Sequence, residues 1–158
     1  MTDAFNPNLD LAIRRVIKAP RSAVWNAWAD PQSFAKWWIP EPIVCEVVAM
    51  DLRPGGAFVT RMSQDGGPFT PHLDACFLDV AQGERIVFTT ALTGGWRPAE
   101  EAFIVMTAII TMTDHVDGTE YVSRAMHRTP AESTRHDEMG FQDGWGTAIG
   151  QLAKLVED

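Results

Sequence analysis

The sequence predicts an α+β fold in which a long C-terminal helix lies across a curved antiparallel sheet of about six to seven strands. Three observations support this prediction. Most of the chain between residues 43 and 127 has the two-residue period of half-buried strands, with glycine and proline turns between them. These connections are too short for crossover helices, so consecutive strands should pair antiparallel. The last stretch, from about Glu132 to Glu157, instead has helical spacing.

The 158 residues are enough for one domain with a substantial core, and we expect a single domain over 1–158 with a loose tail over 1–8. The net charge of -8 argues against a nucleic-acid partner or an anionic membrane surface. No apolar run approaches the ~20 residues that span a bilayer. The N-terminus lacks the basic start and apolar core of a signal peptide, so we expect a cytoplasmic protein.

The first elements are a strand and two short helices. Alternation from Leu9 to Ile17 predicts the strand, and Pro20 ends it and leads into a helix. Asp30 is placed as the N-cap of a second helix with Pro31 at its first position. The two helices carry the apolar residues Val24, Trp25, Trp28, Phe34, Trp37 and Trp38.

Six strands are predicted after these helices. They cover Ile43–Met50, Ala57–Met62, Leu73–Val80, Ile86–Ala91, Phe103–Thr113 and Thr119–His127. The first two are joined through Gly55 and Gly56, which we interpret as a tight turn and not as a phosphate-binding loop. We therefore expect a meander.

The strand predicted at Phe103–Thr113 indicates which face of the sheet is buried. One parity, from Ile104 to Met112, is apolar throughout, whereas the other becomes polar toward its end. The predicted C-terminal helix has its own apolar stripe at Phe141, Trp145, Ile149, Leu152 and Val156. One helix cannot cover a sheet of this length, so we expect a cavity between the helix and the concave face.

Short segments of the sequence, in their order and spacing, resemble a known family. They are Arg15-Val16-Ile17-Lys18-Ala19-Pro20, Val24-Trp25, Ala27-Trp28, Asp30-Pro31, Trp37-Trp38-Ile39-Pro40, Asp51-Leu52-Arg53-Pro54-Gly55-Gly56, Asp65-Gly66, Glu84-Arg85-Ile86-Val87, Asp117-Gly118-Thr119 and Gly144-Trp145. Over about residues 9–156 the chain resembles bacterial proteins similar to the C-terminal domain of the activator of heat-shock protein 90 ATPase. That family (AHSA-like) belongs to the START-like, Bet v 1-like (SRPBCC) superfamily.

The resemblance implies a helix-grip fold around a hydrophobic ligand cavity. A few distant relatives are cyclases, aromatases or hydrolases, and most bacterial members have no assigned reaction. Chaperone activity belongs to relatives with an additional N-terminal domain, so the family name does not predict the activity of this chain.

Aromatic and apolar residues are the candidates for lining the cavity. They are Trp37, Trp38, Phe58, Ile104, Met106, Ile110, Tyr121, His127, Phe141 and Trp145. The alternative for the clustered tryptophans is that they fill the gap between the short helices and the sheet.

No catalytic residue is assigned, although three polar residues of the last strand are candidates. Tyr121 and His127 share one parity and could form a proton-transfer pair for a carbonyl compound. Arg124 has the opposite parity and would face inward if the register differed by one residue. His72 and His115 lie beside turns, and His136 lies at a helix edge.

No metal site and no cofactor are predicted, because the sequence has neither a His-x-x-x-His cluster nor a glycine-rich nucleotide fingerprint. The two cysteines, Cys45 and Cys76, are expected to be reduced thiols in apolar strands.

The leading hypothesis is a protein that binds a small apolar or amphipathic molecule between the sheet and the C-terminal helix. One alternative is an enzyme of the cyclase, aromatase or hydrolase type that uses the same cavity. The other is an interaction module, either a homodimer or a domain that contacts a chaperone.

Overall fold

The computed structural model describes residues 4–157. The strands are β1 (Asp10–Ile17), β2 (Val44–Met50), β3 (Ala57–Ser63), β4 (Thr70–Ala81), β5 (Arg85–Thr89), β6 (Leu92–Thr93), β7 (Arg97–Pro98), β8 (Thr107–His115) and β9 (Gly118–Met126). The helices are α1 (Arg21–Ala29), α2 (Pro31–Phe34), α3 (Pro130–Glu138) and α4 (Phe141–Val156). Residues 1–3, part of the predicted loose tail, lie outside this description.

Seven strands form one antiparallel sheet in the order β1-β9-β8-β5-β4-β3-β2. The predicted α+β fold and meander are therefore confirmed, and β6 and β7 add a separate two-stranded ribbon. Register shifts interrupt the pairing of β2 with β3, of β3 with β4 and of β4 with β5. Such bulges bend strands and increase their twist, which suits a sheet that curves around a helix.

The first strand pairs with the last, from Asp10 opposite Met126 to Ile17 opposite Thr119. Residues 4–9 continue into this strand through a hydrogen-bonded turn. The side chain of Asp10 accepts a hydrogen bond from the Asn6 backbone N–H at 2.9 Å, and Leu9 N–H donates to the Asn6 carbonyl at 3.0 Å. The described part of the predicted tail is thus tied to the edge of the sheet.

The predicted cap of the second short helix is confirmed, although the helix is shorter than expected. Asp30 Oδ2 accepts hydrogen bonds from the backbone N–H and hydroxyl of Ser33, at 3.3 and 2.8 Å. The helix ends at Phe34, so Trp37 and Trp38 lie in the following turn. The backbone N–H groups of Trp37 and Trp38 both donate to the Phe34 carbonyl. This tightened last turn ends the helical conformation before Pro40.

The prediction of one C-terminal helix from Glu132 to Glu157 is wrong, because the stretch contains two helices. Thr129 caps α3 by accepting a hydrogen bond from Glu132 N–H at 3.2 Å. The helical conformation is interrupted at Gly140, which has a φ of 97°, and α4 begins at Phe141. An L-residue with a side chain rarely adopts that conformation, so the glycine allows the break.

The strand predicted from Phe103 begins only at Thr107, and residues 99–106 form a loop. The side chain of Thr90 replaces some of the backbone hydrogen bonds that a strand would have made here. Its hydroxyl oxygen accepts a hydrogen bond from Met106 N–H at 3.0 Å, and its O–H donates to the Ile104 carbonyl at 2.6 Å. A threonine hydroxyl thus holds the loop against the end of β5.

The core lies between the inner face of the sheet, α1 and α4. The apolar parity of β8 is buried as predicted, with Ala108, Ile110 and Met112 at most 1% exposed. α4 contributes Phe141, Ile149 and Leu152. Aromatic rings fill the end below the short helices: Trp28, Phe34, Trp37, Phe58, Phe77 and Phe88. Within residues 4–157, no helix has the length and apolar character needed to cross a membrane.

Candidate functional site

A pocket of about 850 Å³ lies between the inner face of the sheet, the 99–106 loop and the junction of α3 with α4. The sheet contributes the inward side chains of Thr60, Met62, Tyr121 and Ser123. α4 contributes Trp145, Ala148 and Ile149, and the loop contributes Phe103, Ile104 and Met106. The pocket is therefore the part of the concave face that α4 leaves uncovered.

Tryptophan rings form one wall of the pocket. Trp38 stacks on Phe34 with ring centroids 4.8 Å apart, and its centroid lies 6.5 Å from that of Trp145 across the helix–sheet gap. The Trp37 N–H donates to the Ala27 carbonyl at 2.9 Å, which fixes that ring against α1. Because ring packing holds Trp38 and a hydrogen bond holds Trp37, the wall is preformed and offers a flat apolar surface.

Exposed apolar side chains surround the mouth of the pocket. Phe103 is 73% exposed on the loop and Met139 is 45% exposed at the α3–α4 junction. The guanidinium of Arg135 lies over the Phe103 ring at 5.6 Å, so a cation–π contact joins α3 to the loop. A contact at the surface therefore joins the two sides of the mouth.

Tyr121 supplies a polar group from the floor. Its hydroxyl oxygen accepts a hydrogen bond from the Trp28 indole N–H at 2.8 Å, and the side chain is 1% exposed. Burial raises the pKa of the Tyr121 phenol well above its ordinary value of 10.0, although Trp28 and Ser123 oppose this effect by hydrogen bonding. The phenol is therefore a neutral structural group that proton transfer would not easily use.

Two buried histidines form the most distinctive polar feature of the wall. His127 follows β9, and its Nε2 lies 2.8 Å from Nδ1 of His136 on α3. His127 Nδ1 lies 2.8 Å from the Leu9 carbonyl oxygen. Burial, and then the proximity of His127, lower the pKa of His136 to about 4. His136 lines the pocket, whereas His127 stands behind it.

A third histidine lies at the opposite edge of the pocket. Nδ1 of His72 in β4 lies 2.9 Å from the hydroxyl oxygen of the buried Thr60, in a partly buried contact. Burial lowers the pKa of His72. This edge thus carries a polar pair, separate from the one at α3.

The structure brings together six of the ten residues predicted to line the cavity. They are Trp37, Trp38, Ile104, Met106, Tyr121 and Trp145. The other four, Phe58, Ile110, His127 and Phe141, lie behind the lining. Rings of the lining pack on three of these four: Trp38 on Phe58 at 5.6 Å, His136 on His127, and His136 and Trp145 on Phe141.

Arg124, one of the catalytic candidates, lies on the other face of β9. One of its terminal nitrogens donates to Asp10 Oδ2 at 2.7 Å and to the Ala4 carbonyl at 3.2 Å. Its guanidinium also lies 5.8 Å from the centre of the Phe5 ring. Arg124 therefore fastens the N-terminal segment to the sheet and does not face the pocket.

Several residues of the site were not predicted, and His136 is the most important of them. A single helix places Phe141, Trp145 and Ile149 on one stripe, and extending that stripe backwards does not reach position 136. The break at Gly140 changes the direction of the chain and turns His136 toward Phe141, with ring centroids 5.1 Å apart. The glycine before Phe141 was the available signal, because glycine is common just after a helix end.

Within residues 4–157, no group of three or more His, Cys, Asp or Glu side chains could hold a metal ion. Cys45 is a half-buried free thiol and Cys76 a buried one. Burial raises the pKa of Cys45 to about 11, so this thiol is a poor nucleophile at neutral pH.

Comparisons with known proteins place the chain in one well-defined group. The family model for activator of Hsp90 ATPase homolog 1-like protein matches residues 18–157. The crystal structure of a protein from Nitrosomonas europaea is 40% identical and superposes with a TM-score of 0.87 over 98% of each chain.

Two further crystal structures are more distant. A protein from Chromobacterium violaceum is 27% identical, with a TM-score of 0.71 over 94% of this chain and 98% of its own. One from Mycobacterium smegmatis is 25% identical, with a TM-score of 0.76 over 94% and 91%. No curated protein matches the chain.

Proposed function

The chain belongs to the family of proteins similar to activator of Hsp90 ATPase homolog 1, and we propose that it binds an apolar or amphipathic small molecule in the pocket beside α4. The observation that carries this proposal is the preformed aromatic and aliphatic lining of a pocket of about 850 Å³. Binding sites for small molecules have volumes of roughly 300–1,000 Å³ and are mostly apolar with a few polar groups. This pocket agrees with that description in both respects.

The binding experiment compares the purified protein with and without a panel of fatty acids, flavonoids and sterols. Native mass spectrometry detects a bound mass, and thermal unfolding reports stabilisation. A ligand at about 100 times its Kd should stabilise the folded state by ~2.7 kcal/mol, because it binds the folded state alone. If no compound in the panel binds, the proposal fails.

A substitution at Gly144 locates the binding site. This glycine lines the pocket from within α4, and a Cβ built there meets no atom within 4 Å. We expect Gly144→Leu to fold normally, because leucine favours helix more than glycine does. Its side chain would occupy ligand space and weaken binding by about tenfold or more, a loss of ~1.4 kcal/mol.

Gly150→Leu is the matched control, because Gly150 lies in the same helix outside the pocket. A Cβ there meets only the flexible end of Arg15 at 3.6 Å. This variant should bind ligand like the wild type. Equal binding by both variants and the wild type would place the ligand elsewhere.

A cavity enzyme of the cyclase, aromatase or hydrolase type is the second candidate, and the buried histidine pair at the pocket wall is the observation in its favour. Of the candidates on β9, Tyr121 has a raised pKa that disfavours proton transfer, and His127 reaches the pocket only through His136. The test is to incubate each ligand that binds with the protein and to analyse it by mass spectrometry. Recovery of unchanged ligand would favour the binding protein.

Self-association is a separate proposal. β2 forms one edge of the sheet and exposes Val44 and Val48, which are 55% and 52% accessible. Exposed strand edges are templates for pairing with a second chain. Light scattering after size exclusion distinguishes a dimer from a monomer, and contact with a chaperone is a further alternative for the exposed surface.

The two free thiols support a reducing compartment such as the cytoplasm.

A further inference from the structure

The hydrogen bonds of His127 fix the position of its proton. The Leu9 carbonyl oxygen, which can only accept, lies 2.8 Å from His127 Nδ1 and also accepts the His127 backbone N–H at 2.9 Å. A carbonyl oxygen has two lone pairs and can serve both donors. His127 Nδ1 therefore carries the proton, which leaves a lone pair on Nε2 of the neutral ring.

The same reasoning extends to His136. Its Nδ1 lies 2.8 Å from His127 Nε2, and two lone pairs cannot form a hydrogen bond. Nδ1 of His136 must therefore be the donor, so Nε2 of the neutral His136 ring bears only a lone pair. The backbone carbonyl of Leu9 in this way sets the hydrogen-bonding character of a nitrogen two rings away.

The surroundings of the pair keep His136 uncharged. The side chain is 8% exposed and lies edge-on to the rings of Phe141 and Trp145. Its pKa is about 4 because burial and His127 both lower it, while Asp137 on the same helix raises it less. Glu132, also on α3, is a further charged group that interacts with His127.

Nδ1 of His136 points to His127 behind the lining, so Nε2, on the other side of the ring, is the nitrogen that can meet an occupant. His136 is part of the lining, and Nε2 has no hydrogen-bond partner within residues 4–157 and is not sealed in the packed interior. Another polar group of this wall, the Tyr121 hydroxyl, already accepts the Trp28 N–H. An occupant of the pocket that offers a hydrogen-bond donor would satisfy Nε2. A carboxylate or an ether has only lone pairs to offer, which would repel the lone pair of Nε2.

We propose that Nε2 of His136 anchors the ligand and that the pocket selects molecules with an apolar body and a neutral hydroxyl donor, such as phenols, enols and alcohols. This inference rests on the proposed function, because it names the class of molecule that the pocket takes. His127 is a positioning residue, since it orients the His136 ring and sets its tautomer without contacting the occupant.

The test compares 1-naphthol with 1-methoxynaphthalene, which have the same ring system but differ in the hydroxyl proton. Both are small enough to turn freely in about 850 Å³, so the hydroxyl can reach Nε2. Titrations followed by the NMR signals of the tryptophan indole N–H groups give both Kd values. A single neutral hydrogen bond contributes ~1 kcal/mol, so we expect 1-naphthol to bind about fivefold tighter.

His136→Asn separates recognition of the hydroxyl from support of the fold. The asparagine amide N–H can replace Nδ1 as the donor to His127. Its Oδ1 is one bond from Cγ and falls short of the position of Nε2, which is two bonds from Cγ. We expect this variant to fold and to bind the two naphthalenes equally. The second measurement needs no substitution: long-range ¹H–¹⁵N NMR of the wild type should show the proton on Nδ1 in both His127 and His136.

The outcomes distinguish this inference from the proposed function. Equal binding of the two naphthalenes by the wild type, a preference for 1-naphthol that survives in His136→Asn, or a proton on Nε2 of His136 would each overturn the inference and leave the binding function intact. If neither naphthalene and no member of the panel binds, the proposed function fails and this inference fails with it.

Discussion

At the scale of single residues, the indole N–H groups of the tryptophan cluster are satisfied unequally. Trp28 donates to Tyr121 and Trp37 donates to the Ala27 carbonyl. The buried N–H of Trp38 has no acceptor within residues 4–157. The hydrogen bond between Trp28 and Tyr121 joins α1 to β9, and both side chains are at most 1% exposed.

Tyr121→Phe removes that acceptor without changing the size of the ring. The Trp28 N–H would then be buried without a partner, which costs about 1–3 kcal/mol. We expect the free energy of unfolding to fall by that amount, measured by urea denaturation with tryptophan fluorescence. Unchanged stability would mean that the Trp28 N–H finds another acceptor.

His136 makes stability depend on pH in a predictable direction. Its pKa is about 4 in the folded protein and 6.5 ordinarily, so the unfolded chain binds the proton more readily. Stability is therefore complete above about pH 6.5 and is lost as the pH falls toward about 4. At ~1.36 kcal/mol per pH unit, the loss from this residue is at most roughly 3 kcal/mol.

The measurement is urea denaturation of the wild type and of His136→Asn at several pH values between 7.5 and 4.5. Both proteins lose stability through their carboxylates, and we expect a steeper loss for the wild type because only it carries His136. Parallel curves for the two proteins would contradict a buried neutral His136.

The residue scale is also where sequence patterns predicted least. Parity predicted that Tyr121 and His127 share one face of the strand and that Arg124 lies on the other, because a strand has a fixed two-residue period. It left open which of the two faces points inward. It could not predict that Trp38 covers Phe58 or that His136 covers His127, since those contacts join segments far apart in the chain. The pocket lining depends on such contacts more than on orientation.

At the scale of elements, the break between α3 and α4 gives the clearest difference between expectation and structure. Hydrophobic period alone favoured one helix, since α4 has a complete apolar stripe. The left-handed conformation of Gly140 instead separates α3 from α4 and places Met139 at the pocket mouth. Similarly, the loop before β8 depends on the hydroxyl of Thr90, and no local pattern near Phe103 indicates it.

A pair of glycine substitutions tests the break. Gly140→Ala places a side chain at a φ of 97°, which should destabilise the protein by about 1 kcal/mol or more. Gly150 lies within α4, and a Cβ added there would lie 3.6 Å from a terminal nitrogen of Arg15, an ordinary contact. Gly150→Ala should therefore stabilise the protein by about 0.5–1 kcal/mol. Opposite signs in thermal unfolding support the break. If both variants were stabilised, a continuous helix through residue 140 would be favoured.

At the scale of the whole molecule, the antiparallel pairing of consecutive strands was predictable, because short turns allow few topologies. The pairing of β1 with β9 was not predicted, because it joins strands far apart in the chain. The formation of a pocket followed from the mismatch between one helix and a long sheet. The volume of the pocket and the position of its mouth could not be predicted from the sequence, because they depend on the distance between α3 and the 99–106 loop.

The net charge of -8 predicts how ligands of different charge respond to salt. Asp74 and Glu101 both lie at the pocket, and the positive charge of Arg61 there is paired with Glu46. A negative ligand therefore meets repulsion from the rim as well as from the molecule as a whole. We expect dodecanol to bind more tightly than dodecanoate at low salt. Raising the ionic strength to about 0.1 M shortens the Debye length to ~10 Å and should strengthen dodecanoate binding alone.

Isothermal titration at two salt concentrations measures both affinities. An equal salt response of the alcohol and the acid would show that the field of the protein does not reach the bound headgroup. A dodecanoate affinity that falls with salt would indicate a cationic contact instead.

The pairing of β1 with β9 has a consequence for synthesis of the protein. Asp10 leaves the ribosome long before Met126, its partner in the sheet, and α3 and α4 follow later still. Until then, the inner side chains of the strands already made have no helix to cover them. The nascent chain therefore exposes its apolar concave face until α4 has been made and can pack on the sheet.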